Sequence, residues 1–484
     1  MAISLTSKVA KSAGWVFSAK ILGRFFDIVK IIVLARLLSP EDFGLFGLIM
    51  LTIMTLDIFS QTGINAALIQ QRENTHNYLN TAWTIQVIRG LVLGLILLLI
   101  APVAGWFFEE PRIVQLLQFL FIVPLLQGFY NIGIIYFEKE MQFHKQFLFE
   151  MSSNIVSLIV GITLAFTLQN VLALIWANIS LVSTRLILSY VLGAYRPKFQ
   201  LIKSAAVGLY RFGKWMTGYS IVLFCCQQID KIFIGKFLGP VALGVYQVAQ
   251  RIAELPASQI AVSSISFTFP AYSKIQENSE RLGKAFLDAF ETLMSLVLPL
   301  SIFIIFSASD IVNGLLGEKW LSAIVPLKIL SFAGFLIAMD ATTTPIFMAA
   351  GKPNLEFWKN LLKLFVILMT IYPLAINWGI TGICTSLVLA SLSTLIFWFK
   401  VRSITNIRWT DIFLNMVTPV IIGITTALSI VLSHSLFDKP GIQSLAIAAA
   451  GSLLFYIAIV FYIGKAYQKG ILVHVQRLLK GIGN

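Results

Sequence analysis

The chain has 484 residues, of which 58% are hydrophobic and only 12% are charged, and its mean hydropathy is +0.86. Soluble globular domains carry about 25% charged residues, so the composition excludes that class and indicates a protein embedded in a membrane. The net charge of +14 has its explanation in membrane topology, and no nucleic-acid partner is expected.

Long apolar runs predict the elements in chain order. A helix needs about 20 apolar residues to cross the hydrocarbon of a bilayer, and fourteen runs qualify. They cover approximately residues 15–37, 43–62, 83–107, 114–137, 147–168, 171–192, 215–238, 243–269, 284–306, 321–348, 355–376, 380–401, 412–436 and 442–463. The predicted fold class is therefore all-α, a polytopic membrane protein with about 14 transmembrane helices.

The distribution of Lys and Arg predicts the orientation of these helices, because basic residues concentrate on the cytoplasmic side. With a cytoplasmic N-terminus, and with basic residues near the ends of the spans counted with the adjoining loops, the inside segments hold 22 Lys and Arg and the outside loops hold five. An odd number of spans would destroy this segregation. We therefore expect both termini in the cytoplasm, with membrane lipids around the chain.

A short motif occurs twice, 200 positions apart. Residues 36–46 read RLLSPEDFGLF and residues 236–246 read KFLGPVALGVY. Six predicted spans separate the two copies, so the halves enter the membrane from the same side as parallel repeats, the plan of a secondary transporter. The predicted domains are 1–200 with helices 1 to 6, 201–403 with helices 7 to 12, and 404–484 with helices 13 and 14 and a cytoplasmic amphipathic tail.

Ionisable residues inside predicted spans are the candidate functional residues. Each costs about 2.5–3.5 kcal/mol at a helix centre and persists mainly where it faces protein or water. At 100° per residue, Lys20, Arg24, Asp27 and Lys30 form one polar stripe on helix 1. This stripe predicts a cavity lining with a substrate or coupling role, and a purely structural Arg24–Asp27 pair is the alternative.

The remaining candidates divide between two roles. Candidates for the substrate cavity, beside the helix 1 stripe, are Arg89, Arg185, Lys231 and Arg251, although Arg89 and Arg185 could instead extend to the membrane interface. Candidates for ion coupling are Asp57, Asp230, Glu254 and Asp340. The cationic first half suits an anionic substrate, and the more acidic second half suits a coupling H+ or Na+. The spacing of Cys and His predicts no metal site, and no cofactor or catalytic group is expected.

Four segments resemble the polysaccharide-transport branch of the multidrug/oligosaccharidyl-lipid/polysaccharide exporter superfamily, with O-antigen, colanic-acid and teichuronic-acid exporters as the most similar members. The segments are LARLLSPEDFGLFGLIM, TGINAALIQ (Thr62 to Gln70), QQIDKIFIGKFLGPVALGVYQVAQR and FPAYSK (Phe269 to Lys274). Length and number of spans extend the resemblance over essentially the whole chain.

The resemblance implies a flippase that carries undecaprenyl-diphosphate-linked oligosaccharide from the cytoplasmic to the outer leaflet of the bacterial inner membrane. It also implies a V-shaped molecule of two six-helix lobes with alternating access, plus two extra C-terminal helices. By analogy, Lys20 and Arg24 would engage the diphosphate, and Asp230, Lys231, Arg251 and Glu254 would line the cavity. Polysaccharide polymerase machinery is an expected partner.

Two other functions remain open from the sequence. A cation-coupled multidrug exporter of the same superfamily would favour an acidic cavity, whereas the helix 1 stripe carries three basic residues and one acidic residue. A membrane-embedded lipid-linked sugar polymerase would need catalytic groups near an interface. The sequence shows neither a phosphate-binding Gly-rich loop nor an HExxH motif, so an enzyme is not expected.

Overall fold

The computed structural model describes residues 22–60 (except 24), 75–140, 142–203, 221, 224–256, 268–436 and 441–467. Lys20 and Arg24, the TGINAALIQ segment, most of the 194–214 connection and the predicted cytoplasmic tail lie outside the described residues. What the sequence predicts for them stays a prediction.

Helices make up the regular structure of the described ranges. The longer helices are α1 (25–37), α2 (Pro40–Phe59), α3 (Thr75–Phe107), α4 (Arg112–Phe119), α5 (Ile122–Gly128), α6 (Ile135–Lys139), α7 (Phe143–Leu168), α8 (Leu172–Leu192), α9 (224–237), α10 (Gly239–Ala253), α11 (268–275), α12 (Ser279–Phe306), α13 (Ile324–Ala341), α14 (Thr344–Ala349), α15 (Pro353–Ser393), α16 (Trp398–Thr405), α17 (Trp409–Leu436) and α18 (Ile442–Tyr467). Short 3-10 segments (Ile132–Ile134, Glu318–Ala323 and Thr394–Phe397), a π segment (Ile311–Leu316) and one α-helical turn (Ala308–Asp310) connect some of them.

Nine segments of the described residues are long and apolar enough to span a membrane. One of them, Pro353–Thr405, contains two spans, because the backbone at Gly379 leaves the helical region with φ 56°. This position separates the predicted spans 355–376 and 380–401. The all-α polytopic class is confirmed, while the number of fourteen spans stays a prediction.

Contacts between residues divide the chain into two compact units, residues 1–244 and 245–484. Each unit has its own internal packing. The domain limits predicted from the sequence stay predictions.

In the first unit, small residues allow helices to approach closely. Gly90 and Gly94 of α3 face α5, where a Cβ on Gly90 would overlap the carbonyl oxygen of Pro124. Pairs of glycines four residues apart permit such close packing within membranes. The α7–α8 hairpin is the other extensive contact of this unit.

The two copies of the repeated motif touch each other within the first unit. A Cβ on Gly44 would overlap the backbone of Pro240, and a Cβ on Gly244 would overlap the carbonyl oxygen of Pro40. Each glycine lies four residues after its own proline, so the contact is reciprocal. Each copy therefore uses Gly to bring its helix start against the helix start of the other.

An extended segment after α8 is bound along the start of α3. Asn80 Oδ1 accepts a hydrogen bond from the Lys198 amide at 3.0 Å, and Thr84 Oγ1 accepts one from the Gln200 amide at 3.0 Å. Thr81 Oγ1 accepts from the Ile202 amide at 3.1 Å. These side chains satisfy backbone donors that lack partners in an extended chain, so this part of the 194–214 connection is anchored to α3.

The second unit has an aromatic core between α12 and α16. Phe286 and Phe290 are stacked with ring centroids 5.9 Å apart, and Trp398 meets both rings edge-on at 5.9 and 5.2 Å. All three side chains are buried. α12 also packs along α17, and α17 along α18, so the last two helices belong to this unit.

Candidate functional site

Of the helix 1 stripe, the structure describes Asp27 and Lys30, and Lys30 packs against α7. Lys30 Nζ donates a hydrogen bond to Ser157 Oγ at 2.8 Å, and Ser157 Oγ donates to the Ala177 carbonyl of α8 at 2.7 Å. One turn further, Leu34 lies beside Gly161. Lys30 is half-buried at the junction of α1, α7 and α8, whereas Asp27 is exposed. The structure thus separates these two members of the stripe.

Arg185 on α8 is a second cation of this unit. Its Nε is buried and has no hydrogen-bond partner among the described residues. Arg185 lies near enough to Tyr130 to interact with it electrostatically. A buried donor without a partner in a native structure is costly and calls for an explanation such as a ligand or water, so Arg185 is the strongest candidate for an anion contact in the first unit.

Arg89 and Asp57, predicted as a cavity residue and an ion-coupling residue, form one ion pair. Arg89 Nη2 lies 2.5 Å from Asp57 Oδ1, and the side chains are 24% and 41% exposed. Arg89 also donates to the Asp57 carbonyl at 2.9 Å and to the Ser60 carbonyl at 3.0 Å. The guanidinium thereby binds the C-terminal carbonyls of α2, where a cation is favoured.

Asp230 and Lys231 are neighbours on α9 with different surroundings. Asp230 is buried, and its Oδ1 accepts a hydrogen bond from the Lys231 amide at 2.8 Å. Lys231 Nζ is half-buried and donates to Gln228 Oε1 at 3.0 Å. Both remain candidates, Asp230 for binding a coupling cation and Lys231 for contacting an anionic substrate.

Glu254 and Arg251 lie at the end of α10 in the second unit. Glu254 Oε1 accepts a hydrogen bond from Gln250 Nε2 at 2.8 Å, and Arg251 is exposed. No metal-binding group of three or more His, Cys, Asp or Glu occurs among the described residues.

Asp340 on α13 belongs to a buried ion cluster that the sequence analysis did not recognise. Lys359 Nζ on α15 lies 2.8 Å from Glu356 Oε2 and 3.2 Å from Asp340 Oδ2. Lys359 also donates to Thr343 Oγ1 at 3.1 Å, and its side chain is only 2% exposed. Two carboxylates therefore surround one ammonium group, which leaves an excess negative charge.

Lys359 and Glu356 were missed although they lie within the predicted span 355–376. The usable signal was their spacing of three residues in the string LEFWKN, which places both charges on one side of a helix. Asp340 Oδ1 is buried and has no hydrogen-bond partner among the described residues. The cluster can accept one further donor or cation at this oxygen.

A second group of ion pairs in the first unit lies at the other end of α2 from Asp57. Arg112 Nη2 is 2.5 Å from Glu41 Oε1, and Arg112 Nε is 2.7 Å from Glu110 Oε1. The hydrogen bonds from Arg112 hold the pKa of Glu110 below its ordinary value, and Lys236 does the same to the pKa of Glu109. Arg112, Glu41 and Glu109 are exposed, as is typical of a surface network, whereas Glu110 and Lys236 are partly buried.

Comparison with solved structures identifies the fold. The lipid II flippase MurJ in an inward closed conformation superimposes with a TM-score of 0.74 and 14% identity, over 94% of this chain and 100% of that chain. An inward-facing multidrug resistance MATE family transporter gives a TM-score of 0.61 and 16% identity, over 79% of this chain and 96% of that chain. The chain thus has the fold of this superfamily of membrane transporters, as expected from the motifs.

Sequence comparison identifies the family. The polysaccharide biosynthesis protein family model (Polysacc_synt_3) matches residues 33–325, and the chain belongs to this family. The teichuronic acid biosynthesis protein TuaB of Bacillus subtilis is 24% identical over 96% of this chain and 97% of its own length. The lipopolysaccharide biosynthesis protein WzxC of Escherichia coli is 24% identical over 90% of each chain. The superfamily and branch predicted from the motifs are confirmed, as is a transport function instead of an enzymatic one.

Proposed function

We propose that the protein is a flippase that moves an undecaprenyl-diphosphate-linked oligosaccharide, the repeat unit of an O-antigen or exopolysaccharide, across the bacterial inner membrane by alternating access. The family match supports this substrate class, as do relatives named for lipopolysaccharide and succinoglycan biosynthesis. The observation that carries the proposal is the Arg185 guanidinium on a membrane helix, whose buried Nε has no hydrogen-bond partner in the part of the chain that the structure describes.

The diphosphate of the substrate would supply an acceptor for the Arg185 Nε–H group, which has no hydrogen-bond partner among the described residues. Guanidinium groups bind phosphate oxygens through charge-assisted hydrogen bonds, which are roughly twice as strong as neutral ones. Arg185 follows Ala177 by eight residues on α8, so it lies about 12 Å along the helix from the Lys30 site. Arg185 and Lys30 thus offer two positive contacts on the first unit, to which Lys20 and Arg24 would add by their position on helix 1.

The second unit supplies the proposed coupling site. The excess carboxylate of the Asp340–Glu356–Lys359 cluster suits one H+ or Na+, and Asp57, Asp230 and Glu254 stay further candidates. A cation that binds there would neutralise the cluster and so change the cost of moving it within the membrane. We expect transport to follow a proton or sodium gradient.

The location proposed for the chain is the cytoplasmic membrane with both termini inside, based on the excess of Lys and Arg in alternate loops. Polysaccharide polymerase machinery is the proposed partner on the outer side, because a polymerase consumes the flipped repeat unit. Labelling with a membrane-impermeant maleimide in intact cells tests the orientation in a variant whose three native cysteines (Cys225, Cys226 and Cys384) are replaced by Ser. In that background Lys319→Cys, predicted outside, should be labelled, and Lys352→Cys, predicted inside, should not.

Reconstitution tests the function. Purified protein in liposomes that contain lipid-diphosphate oligosaccharide should move the lipid between leaflets, and Arg185→Gln should reduce the initial rate at least tenfold, because one charge-assisted contact contributes about 1.5–3 kcal/mol. Arg112→Gln is the matched control, since Arg112 lies in the same unit but in the exposed network. Wild-type rates for a folded Arg185→Gln protein would contradict the proposed role of this cation.

A further inference from the structure

A polar cleft in the second unit lies where α16 ends and α17 begins. It has a volume of about 540 Å3 and is lined by Phe399, Arg402, Ser403, Asn406, Ile407 and Arg408. α16 stops at Asn406, whose backbone adopts the left-handed conformation with φ 54°. The chain then turns through Ile407 and Arg408 into α17, which places both Arg side chains beside one opening.

The two cations of the cleft, Arg402 and Arg408, form no ion pair within the described residues. Both side chains are exposed. The nearest acid in sequence, Asp411, accepts a hydrogen bond from the Arg408 backbone amide at 2.9 Å. Asp411 therefore caps the first turn of α17 and leaves both guanidinium groups available.

Aromatic side chains border the cleft on one side. The Arg402 guanidinium lies 5.9 Å from the Trp409 ring, and Trp409 meets Phe399 edge-on at 5.0 Å. Beyond them, Phe413 and Leu414 are 70% and 68% exposed. Trp beside Arg, followed by exposed apolar side chains on a membrane helix, is the pattern of the boundary between headgroups and acyl chains.

We propose that this cleft binds the phosphodiester headgroup of an anionic phospholipid. The two guanidinium groups and the Ser403 and Asn406 side chains offer hydrogen-bond donors to phosphate oxygens, and the apolar border accommodates the acyl chains. A free phosphate ion would use the donors but not the border. The connection between α16 and α17 is on the cytoplasmic side of the predicted topology, where anionic lipids attract basic clusters.

A lipid bound in the cleft would contact the turn between α16 and α17, which itself packs on α12. Gly283 of α12 packs on the Thr405 carbonyl and on Ile407, so the turn that forms the cleft also rests on α12. A bound headgroup would fix this turn and with it the entry of α17 into the membrane. The site differs from the substrate cations of the first unit and does not depend on the proposed transport function.

Native mass spectrometry of the full-length protein tests the proposal. After delipidation, the protein is titrated with phosphatidylglycerol or with phosphatidylcholine of the same acyl chains. Phosphatidylglycerol should bind at least tenfold more tightly, and Arg402→Gln/Arg408→Gln should remove this preference. The control Lys274→Gln/Lys352→Gln removes two exposed positive charges from the same unit and predicted side and should keep the preference.

Three results would overturn the proposal. The first is equal retention of phosphatidylglycerol by the wild type and by Arg402→Gln/Arg408→Gln. The second is displacement of the lipid by millimolar inorganic phosphate, which would assign the cleft to a free anion. The third is displacement by stoichiometric undecaprenyl diphosphate, which would assign it to the transported lipid. Arg402→Lys/Arg408→Lys, which keeps the charge, provides a folded comparison if the glutamine variant unfolds.

Discussion

The Arg89–Asp57 pair of the first unit and the Lys359 cluster of the second unit differ in burial and in charge balance. In the first unit, Arg89 and Asp57 form a one-to-one pair, and both side chains are partly exposed at the protein surface. In the second, Lys359 is almost fully buried between Asp340 and Glu356, whose side chains are 17% exposed. The Arg89–Asp57 pair has no net charge and is partly exposed. The Lys359 cluster is buried in the protein and has one carboxylate more than it has ammonium groups. Position in the structure, more than residue type, therefore decides what each charge can do.

The largest effect is expected from removing the cation of the Lys359 cluster. Lys359→Met leaves two carboxylates near each other with no ammonium, and breaking a buried ion pair in this way costs about 3–5 kcal/mol. We expect a large loss of thermal stability in detergent, measured by scanning fluorimetry on purified protein. The transport assay should show little flipping, because little of the variant remains folded.

The matched variant separates charge from packing. Asp340→Asn/Glu356→Gln/Lys359→Met removes all three charges and keeps the side-chain volumes near their original values, so most of the lost stability should return. A triple variant as unstable as Lys359→Met would show that packing of the lysine stem, and not the uncompensated charge, controls stability. Loss of gradient-driven transport in a stable triple variant would support the proposed coupling role.

The Arg89–Asp57 pair should give a smaller effect. A double-mutant cycle with Arg89→Gln and Asp57→Asn is expected to yield a coupling energy of about 1 kcal/mol, the upper end of the range for exposed ion pairs, because both side chains are partly exposed. Thermal unfolding of the wild type, both single variants and the double variant measures it. A coupling above about 3 kcal/mol would place this pair in the same class as the Lys359 cluster and remove the contrast between the units.

The repeated motif shows how far the sequence alone leads. Pro40 and Gly44 recur as Pro240 and Gly244 in register, which predicts an internal repeat, and the all-α class follows from the apolar runs. The reciprocal contact of the two copies could not be predicted, because spacing along a chain does not say which helix starts meet. The glycines were the physical hint, since close backbone approach needs a residue without a Cβ.

The sequence could predict which charged residues belong to the candidate site, but not which of them form ion pairs. Costly charges in apolar spans marked Arg185, Asp57 and Asp340 as unusual. Periodicity places residues on a face of one helix, but it cannot tell that Asp57 pairs with Arg89 or that Lys359 reaches Asp340 from another helix. Such pairs depend on tertiary contacts. The net charge of a site can therefore be worked out only when the residues that pair within it are known.

The smallest effect is expected in the exposed network at the start of α2. Arg112→Gln should lower stability by about 0.2–1 kcal/mol at neutral pH, the usual range for exposed ion pairs. Because Arg112 lowers the pKa of Glu110 below its ordinary 4.5, this contribution is present above that value and is lost as acid protonates the folded carboxyl. The difference in melting temperature between wild type and Arg112→Gln should therefore shrink as the pH falls below 4.5 and as salt rises. A difference that instead grew in acid would mean that Arg112 acts through repulsion from other cations once its carboxylates are neutral.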